Sequence, residues 1–360
     1  MDRLRVGIVG ATGMVGQRFI RLLAGHPWFK IECLAASKNS AGRTYGEIMR
    51  DRWAADEPVP AAVRQMVVKD ATDMDAIVDE CDFIFSAVSM DKEAVKVFEE
   101  DFARRETPVV SANSAHRFTP DVPMMIPEIN PHHADIIPAQ RKRLGCSRGF
   151  IAVKPNCSIQ PYVPALTALA DFVPTQAFVC TYQAISGAGK TFDTWPEMAD
   201  NVIPFIGGEE EKSIKEPLKV WGTIEDGAIK HATSPVISAQ CIRVPVSDGH
   251  MAAVSVKFEK KPPRDEIIAR WRAFSGKPQE MKLPLAPDPF MVYFEEDNRP
   301  QTRLDRDTGR GMAVTLGRLR DDEIFDYKFI ALSHNTLRGA AGGAVLTAEY
   351  LKASGYLGAK

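Results

Sequence analysis

The stretch that decides the fold lies at the start of the chain and reads LRVGIVGATGMVGQR, residues 4–18. An apolar run typical of a buried strand leads into glycines at 10, 13 and 16, where an amphipathic helical pattern begins. Three glycines alone are weak evidence, since they also occur in ordinary turns. Between a strand and a helix, however, they permit a tight turn, close approach of the backbone to a pyrophosphate, and close helix packing. We therefore expect a dinucleotide site formed by Gly10, Thr12, Gly13, Met14, Val15 and Gly16.

The rest of the first 150 residues alternates short apolar runs with helical patterns. We predict strands at 4–9, 31–36, 65–68, 82–87 and 108–112, with helices at 16–23 and 92–102. This rhythm is typical of parallel βαβ units and predicts an α/β domain of the Rossmann type.

From about residue 150 the pattern changes to longer alternating segments. Strands are predicted at 177–185, 236–246, 251–257, 310–318 and 325–333. Alternation indicates a sheet with one buried face, so the second domain is predicted to be α+β with a largely antiparallel sheet. We place the first domain at 1–151 and the second at 152–336, followed by a closing helix within about 337–360.

Composition excludes several classes of protein. The 360 residues are 45% hydrophobic and 26% charged with a net charge of −2, which predicts a globular protein without a nucleic-acid or membrane surface. No apolar run approaches the ~18 residues of a membrane helix, and the start lacks a secretory signal, so we expect a cytoplasmic protein. The six cysteines have no paired short spacing, which predicts neither disulfides nor a metal site.

The segment after the second strand indicates which dinucleotide binds. An acidic residue there would bind the ribose 2′-hydroxyl of NAD, but none is present. Hydroxyls and positive charge suit a 2′-phosphate instead, so NADP is favoured over NAD, although a solvated basic loop is the alternative. The residues concerned are Ser37, Lys38, Ser40 and Arg43.

Cys157 and His250 are the candidates for covalent and proton-transfer chemistry. Cys157 precedes what reads as a helix start, where backbone N–H groups would lower the pKa of a thiol. His250 follows a glycine-containing turn and offers a base with a pKa near the working pH. Arg243, on the strand before it, is suited to clamping a carboxylate. Each position alone is also compatible with a structural role.

Two further segments resemble parts of a site. Gln183 lies on a strand before the glycine-rich loop 186–189, which a bulky ring could approach closely. Glu209 and Lys212 share one helical face, although acidic runs of this kind are more often solvated surface.

With these residues assembled, the chain resembles the aspartate-β-semialdehyde dehydrogenase family, in its archaeal and fungal-like branch, over nearly its full length. The matching segments are 10–18, 36–45, 111–117, 155–158, 183–189, 201–212, 243–250, 299–306 and 334–342. The resemblance implies NADP-dependent reduction of L-aspartyl 4-phosphate to the 4-semialdehyde with release of inorganic phosphate. It also implies a homodimer or homotetramer, and a closing helix that returns to the first domain.

The resemblance also implies a role for each candidate. Cys157 would be the nucleophile and His250 the acid/base, with Gln183 positioning the substrate. Arg243 would hold the substrate carboxylate and Glu209 its amino group. The phosphate site would contain Lys212, Arg117 and Asn113; Asn335, Ser186 and Gly187 would lie at the cofactor; and Asn156 would help to stabilise an oxyanion.

One departure from the family pattern bears on the substrate. After Gly189 the chain reads KTFDTWP, residues 190–196, where relatives usually carry an aromatic residue and a Gly/Pro turn. The first alternative is therefore a CoA-thioester reductase, such as a malonyl-CoA reductase, on the same scaffold. The second is a dinucleotide-binding paralogue without activity. The paired Glu209 favours an amino-acid substrate, and the presence of nucleophile, base and clamp favours an enzyme.

Overall fold

A computed structural model describes residues 3–54 and 57–360 of the chain. Six parallel strands form the first sheet, and helices lie in the connections between them. The strands are β1 Leu4–Val9, β2 Phe29–Ala36, β3 Lys69–Asp70, β4 Phe83–Ser86, β5 Val109–Ser111 and β6 Ile151–Val153. Their order is β3-β2-β1-β4-β5-β6, which is the doubly wound order of dinucleotide-binding domains. The helices are α1 Met14–Leu23, α2 Tyr45–Met49, α3 Ala61–Arg64, α4 Met74–Val78, α5 Lys92–Arg104 and α6 Ile137–Leu144.

The second sheet is mixed. Its strands are β7 Pro174–Gln183, β10 Val236–Arg243, β11 His250–Phe258, β12 Met291–Phe294, β13 Val314–Asp321 and β14 Tyr327–Ser333, and a hairpin of β8 Thr223–Glu225 and β9 Ala228–Lys230 stands apart. In the order β10-β7-β11-β14-β13-β12, three of the five pairings are antiparallel. The helices are α7 Val163–Thr167, α8 Glu209–Val220, α9 Arg264–Ala273, α10 Lys277–Glu280, α11 Thr302–Asp305, α12 Thr308–Gly311 and α13 Gly342–Ala353.

The predicted fold class is confirmed, with corrections in detail. The second sheet contains two parallel pairings, because β10 and β12 reach its edges by crossovers rather than hairpins. The strand predicted at 65–68 is wrong: Val68 is buried but exchanges backbone hydrogen bonds with residues 42–43, away from the sheet. The strand predicted at 310–318 begins only at Val314, because Gly309 and Arg310 have positive φ and form a tight turn.

One face of the second sheet is buried and the other is more open. Val179 on β7 and Val254 on β11 are buried in a core that Trp271 of α9 completes. On the opposite face of the same sheet, Phe178 is 37% exposed and Val236 is 68% exposed. This alternation is typical of a sheet that carries its core on one side.

The chain passes between the two sheets twice, and the second passage leads to α13. A turn of π-helix, Leu337–Ala341, follows β14, and α13 then packs on α1 and β5 of the first domain. Leu346 of α13 shares a buried cluster with Phe19 of α1. His26 Nε2 and Glu349 Oε1, 2.8 Å apart in the same interface, are both buried.

Candidate active site

A cavity of about 440 Å³ lies at the carboxyl end of the first sheet, where parallel α/β domains bind nucleotides. Gly10, Thr12 and Gly13 line it. Gly10 has a φ of 93°, and a Cβ there would lie 2.4 Å from the carbonyl oxygen of Ala87. A Cβ at Gly16 would lie 2.3 Å from the carbonyl oxygen of Gly10. Gly10 and Gly16 therefore occupy positions where a side chain would collide with backbone, and the loop borders a cavity that can take a nucleotide.

The predicted basic segment divides into two parts. Ser37 and Lys38 line the cavity, whereas Ser40 is buried elsewhere and Arg43 is exposed outside it. Asp70, which the sequence analysis missed, also lines the cavity. Hydrogen bonds from the backbone N–H and hydroxyl of Thr72 lower its pKa. Of the two cations predicted to bind a 2′-phosphate, Lys38 therefore lines this cavity, beside a carboxylate, and Arg43 does not.

Cys157 follows β6 at the junction of the two domains. The Oδ1 atom of Asn156 accepts a hydrogen bond of 2.7 Å from the N–H of Ser158 and caps the three-residue 3-10 helix Cys157–Ile159. Cys157 is partly buried, and a Cβ at Gly339 would lie 2.6 Å from its Cβ. The thiol therefore lies where the chain first leaves the nucleotide-binding domain.

The expected lowering of the Cys157 pKa is wrong. Burial raises the pKa of the thiol and the charge of Glu209 adds to this shift, while Lys154, Arg117 and Arg243 oppose it. A 3-10 helix of three residues has too few aligned peptide dipoles to offset the loss of solvation. The environment, rather than the helix, sets the charge state of this sulfur.

His250 begins β11 and is fully buried. Its Nδ1 accepts a hydrogen bond of 3.1 Å from the N–H of Ala184, so in the neutral ring the proton lies on Nε2. Nε2 has no hydrogen-bond partner among the described residues, and a Cβ at Gly187 would lie 3.1 Å from it. Burial, assisted by the charge of Arg243, lowers the pKa of His250 to about 3. The expected pKa near the working pH is therefore wrong, and the neutral ring is a donor.

Arg243 ends β10 beneath the same loop. Its Nη1 donates a hydrogen bond of 2.7 Å to the carbonyl of Ala184, and a Cβ at Gly187 would lie 2.9 Å from it. Within the described ranges it forms no ion pair. Its charge acts on both Cys157 and His250, which places the three side chains in one site. A buried guanidinium without a carboxylate partner is suited to binding one from a ligand.

Glu209 joins the other predicted residues into one network. Its Oε1 accepts hydrogen bonds from Asn156 Nδ2 at 3.0 Å and Lys212 Nζ at 2.7 Å, and its Oε2 accepts one from Gln183 Nε2 at 3.4 Å. Burial acts to raise the pKa of Glu209, but Lys212 and Asn156 hold it below its ordinary value. The structure therefore presents an ionised, buried carboxylate.

Glu216, which the sequence analysis also missed, connects Arg117 to the backbone of Asn156 in this network. Its Oε1 accepts a hydrogen bond from Arg117 Nη1 at 2.8 Å, and its Oε2 accepts one from the backbone N–H of Asn156 at 2.6 Å. That N–H is therefore engaged by a carboxylate and is not free to stabilise an oxyanion. The oxyanion role expected for Asn156 stays a prediction for its side-chain amide. Glu216 lies seven residues after Glu209 on α8, so the helical period was the signal that could have found it.

Two asparagines hold loops rather than standing free. Asn113 Nδ2 donates to Ser86 Oγ at 3.1 Å and to the buried Glu99 Oε1 at 2.9 Å, and burial raises the pKa of Glu99. Asn335 accepts from the N–H of Gly249 at 2.8 Å and donates to Ser186 Oγ at 2.8 Å. Asn335 therefore connects the loops beside His250 and Gly187.

The unusual segment 190–196 borders a smaller cavity of about 250 Å³. Met14 and Ser186, both predicted at the cofactor, line this cavity together with Lys190 and Phe192. Lys190 and Phe192 are exposed. The added cation and ring therefore lie beside Met14 of the glycine loop.

The described residues contain neither a metal-binding cluster nor a membrane-spanning helix. Across residues 3–54 and 57–360, no group of three or more His, Cys, Asp or Glu side chains is arranged to hold a metal ion. In the same ranges, none of the helices combines the length and apolar character needed to span a bilayer.

Comparison with known proteins identifies the family. Residues 5–137 match the NAD binding domain of semialdehyde dehydrogenases, and residues 166–338 match their dimerisation domain. The aspartate-semialdehyde dehydrogenase of Methanothermobacter thermautotrophicus is 44% identical over 353 residues, or 97% of this chain and 99% of that protein. The malonyl CoA reductase (NADP) of Metallosphaera sedula is 37% identical over 358 residues, or 98% of each chain.

A crystal structure of aspartate semialdehyde dehydrogenase with NADP from Candida albicans superimposes with a TM-score of 0.87 at 34% identity, covering 97% of this chain and 99% of that one. A glycine-loop nucleotide domain joined to a mixed-sheet domain, with cysteine and histidine at the junction, defines a dinucleotide-dependent oxidoreductase. The chain belongs to the aspartate-semialdehyde dehydrogenase family.

Proposed function

We propose that the chain catalyses the NADPH-dependent reduction of L-aspartyl 4-phosphate to L-aspartate 4-semialdehyde and inorganic phosphate, and the reverse reaction. The observation that carries this proposal is the presence of two buried groups of opposite charge, Arg243 and Glu209, near Cys157. A buried guanidinium and an ionised carboxylate suit the α-carboxylate and α-amino groups of an amino acid. Both charges act on the thiol, so we expect a substrate held between them to bring its side-chain carbonyl near the sulfur.

The first chemical step belongs to Cys157. The thiol first loses its proton to solvent, and the thiolate then attacks the carbonyl carbon of the acyl phosphate. A C–S bond forms, and the C–O bond to phosphate breaks as the phosphate leaves. Arg117 and Lys212 are the cations assigned to the departing phosphate. Asn113, whose amide is bound to Glu99 and Ser86, is the weaker candidate among the predicted phosphate contacts.

The second step reduces the thioester. The glycine loop and Lys38 would hold NADPH, which would supply the hydride that reduces the thioester carbon. His250 donates the Nε2–H hydrogen bond to the resulting oxyanion, because its Nδ1 is occupied by the N–H of Ala184. Collapse of this hemithioacetal anion expels the Cys157 thiolate and leaves the aldehyde. No net proton is taken from His250 in this step.

The substrate assignment is tested by comparing acyl donors. Purified enzyme is given aspartate semialdehyde with NADP and phosphate, and then with NAD, or with CoA in place of phosphate. We expect fast NADP reduction that requires phosphate. Turnover of malonyl-CoA with NADPH, combined with no reaction of aspartyl phosphate or the semialdehyde, would overturn the assignment. That result would favour the activity of the Metallosphaera relative.

We infer that the working form is a homodimer or homotetramer built through the second sheet. Its outer face exposes Phe178 and Val236, and the matched family domain is a dimerisation domain. Light scattering after size exclusion measures the mass directly. A monomer at micromolar concentration contradicts the inference. The cytoplasmic location expected from the sequence stays a prediction.

A further inference from the structure

Lys154 is a buried cation beside the proposed nucleophile. It follows β6, is 5% exposed, and lies three residues before Cys157. Its Nζ donates hydrogen bonds to the carbonyl oxygens of Pro155, at 2.7 Å, and of Gly339. Carbonyls satisfy two of the three N–H groups but leave the charge uncompensated. In the described part of the chain, Lys154 makes no salt bridge to a carboxylate.

The hydrogen bond to Gly339 connects Lys154 to the backbone turn that packs against Cys157. Gly339 lies in the π-helical turn Leu337–Ala341, which Ala340 interrupts with a non-helical φ of −141°. A Cβ at Gly339 would lie 2.6 Å from the Cβ of Cys157 and 3.0 Å from its Cα. Lys154 therefore fixes the carbonyl of the residue whose Cα packs directly against Cys157.

Of the three cations that act on Cys157, only Lys154 has no role assigned so far. Arg117 is engaged by Glu216, and Arg243 is assigned to the substrate carboxylate. Glu209 is the acidic group that acts on Cys157, while Glu209 and Glu216 both act on Lys154.

Lys154 nevertheless keeps its charge under ordinary conditions. Burial, with the repulsion of Arg117, lowers the pKa of Lys154 to about 8. At neutral pH the ammonium form therefore predominates roughly tenfold. Among the groups opposing the raised thiol pKa of Cys157, Lys154 makes the largest contribution.

We propose that Lys154 is a positioning residue that supplies the buried counter-charge of the Cys157 thiolate and holds Gly339 against it. This proposal rests on the proposed role of Cys157 as nucleophile. It assigns Lys154 no contact with the substrate: the residue acts through the sulfur and through the turn behind it.

The test measures the thiol without turnover. Alkylation by iodoacetamide is followed across pH 6–10 by mass spectrometry of the peptide that contains Cys157, in wild type and in Lys154→Met. We expect the variant to react about tenfold more slowly at pH 7 and to reach its full rate at higher pH. The matched control is Lys219→Met, since Lys219 is also buried and donates to two carbonyls, those of Thr119 and Val122. Its alkylation profile is expected to match wild type.

A second pair of variants separates charge from hydrogen bonding. Lys154→Arg keeps the cation and Lys154→Gln keeps only a donor, and this pair decides the question if Lys154→Met does not fold. We expect arginine to retain most of the wild-type profile and glutamine to lose it. A wild-type profile in Lys154→Gln, or in folded Lys154→Met, overturns the proposal. Because alkylation needs no substrate, this outcome is independent of whether Cys157→Ser abolishes activity.

Discussion

At Cys157, two influences on the thiol pKa act in opposite directions: burial raises it, and three neighbouring cations lower it. The sequence indicated the position of this cysteine correctly relative to a turn, because a strand followed by Pro155 and Asn156 is a local pattern. It could not indicate the direction of the pKa shift. Desolvation and the approach of Arg117 and Arg243 arise only when distant segments pack together.

Replacing Cys157 with serine is expected to lower the rate of NADP reduction by roughly a thousandfold or more, because a hydroxyl is too weak an acid to supply the nucleophile. The measurement is steady-state turnover of aspartate semialdehyde, with NADP binding by fluorescence to show that the variant is folded. Cys180→Ser is the control, since Cys180 is half-buried on the outer face of the second sheet. A serine variant with wild-type activity would show that another group carries the chemistry.

Substitutions of Lys38 and Arg43 are expected to affect cofactor preference differently, although the two residues are only five positions apart. Lys38 lines the nucleotide cavity, so Lys38→Ala is expected to reduce the preference for NADP over NAD by about 10–100-fold, the usual worth of a charge-assisted bond. Arg43→Ala lies outside the cavity and should leave the preference unchanged. Comparing kcat/KM for the two cofactors decides the matter, and equal effects of both substitutions would contradict the assignment.

At the scale of elements, the turn between β1 and α1 was predictable because every constraint on it is local. The network of charged side chains that includes Arg117 and Glu216 was not predictable. Arg117 and Glu216 are 99 residues apart and meet only when α8 packs beside the first domain. The prediction of a strand at 65–68 failed for the same reason. Residues 42–43, which are distant in the sequence, take up the backbone hydrogen bonds of Val68.

The glycines of this turn separate stability from cofactor binding. Gly16→Ala places a Cβ 2.3 Å from a backbone oxygen, so we expect a fall of several degrees in Tm as well as weak NADP binding. Gly13→Ala meets its nearest protein atom at 3.5 Å, so its Tm should stay near wild type. Its affinity for NADP should still fall about tenfold or more, since the backbone approaches the pyrophosphate here. Calorimetry and fluorescence titration measure the two effects. Equal Tm losses in both variants would refute the distinction.

For the whole molecule, three buried histidines link stability to pH. Burial lowers the pKa of His250 to about 3, and those of His133 and His334 to about 4. The unfolded chain binds protons at these residues below a pKa of about 6.5, whereas the folded chain does not. The free energy of unfolding should therefore fall as the pH falls from 6.5 toward 4, by about 2 kcal/mol per histidine at pH 5.

Denaturant unfolding at pH 8, 6 and 5 measures this dependence. Stability that is constant, or that rises, between pH 6.5 and 5 would mean that the three imidazoles are solvated in the folded protein.

The two passages between the sheets have a consequence for motion. The chain leaves the nucleotide domain just before Cys157 and re-enters it through the turn that contains Gly339, and these two points are in contact. If one domain rotated against the other, these two connecting segments would be the covalent links about which it turned. In such a rotation the sulfur would move less than atoms farther from the two connections, so the reactive atom would keep its place relative to both domains.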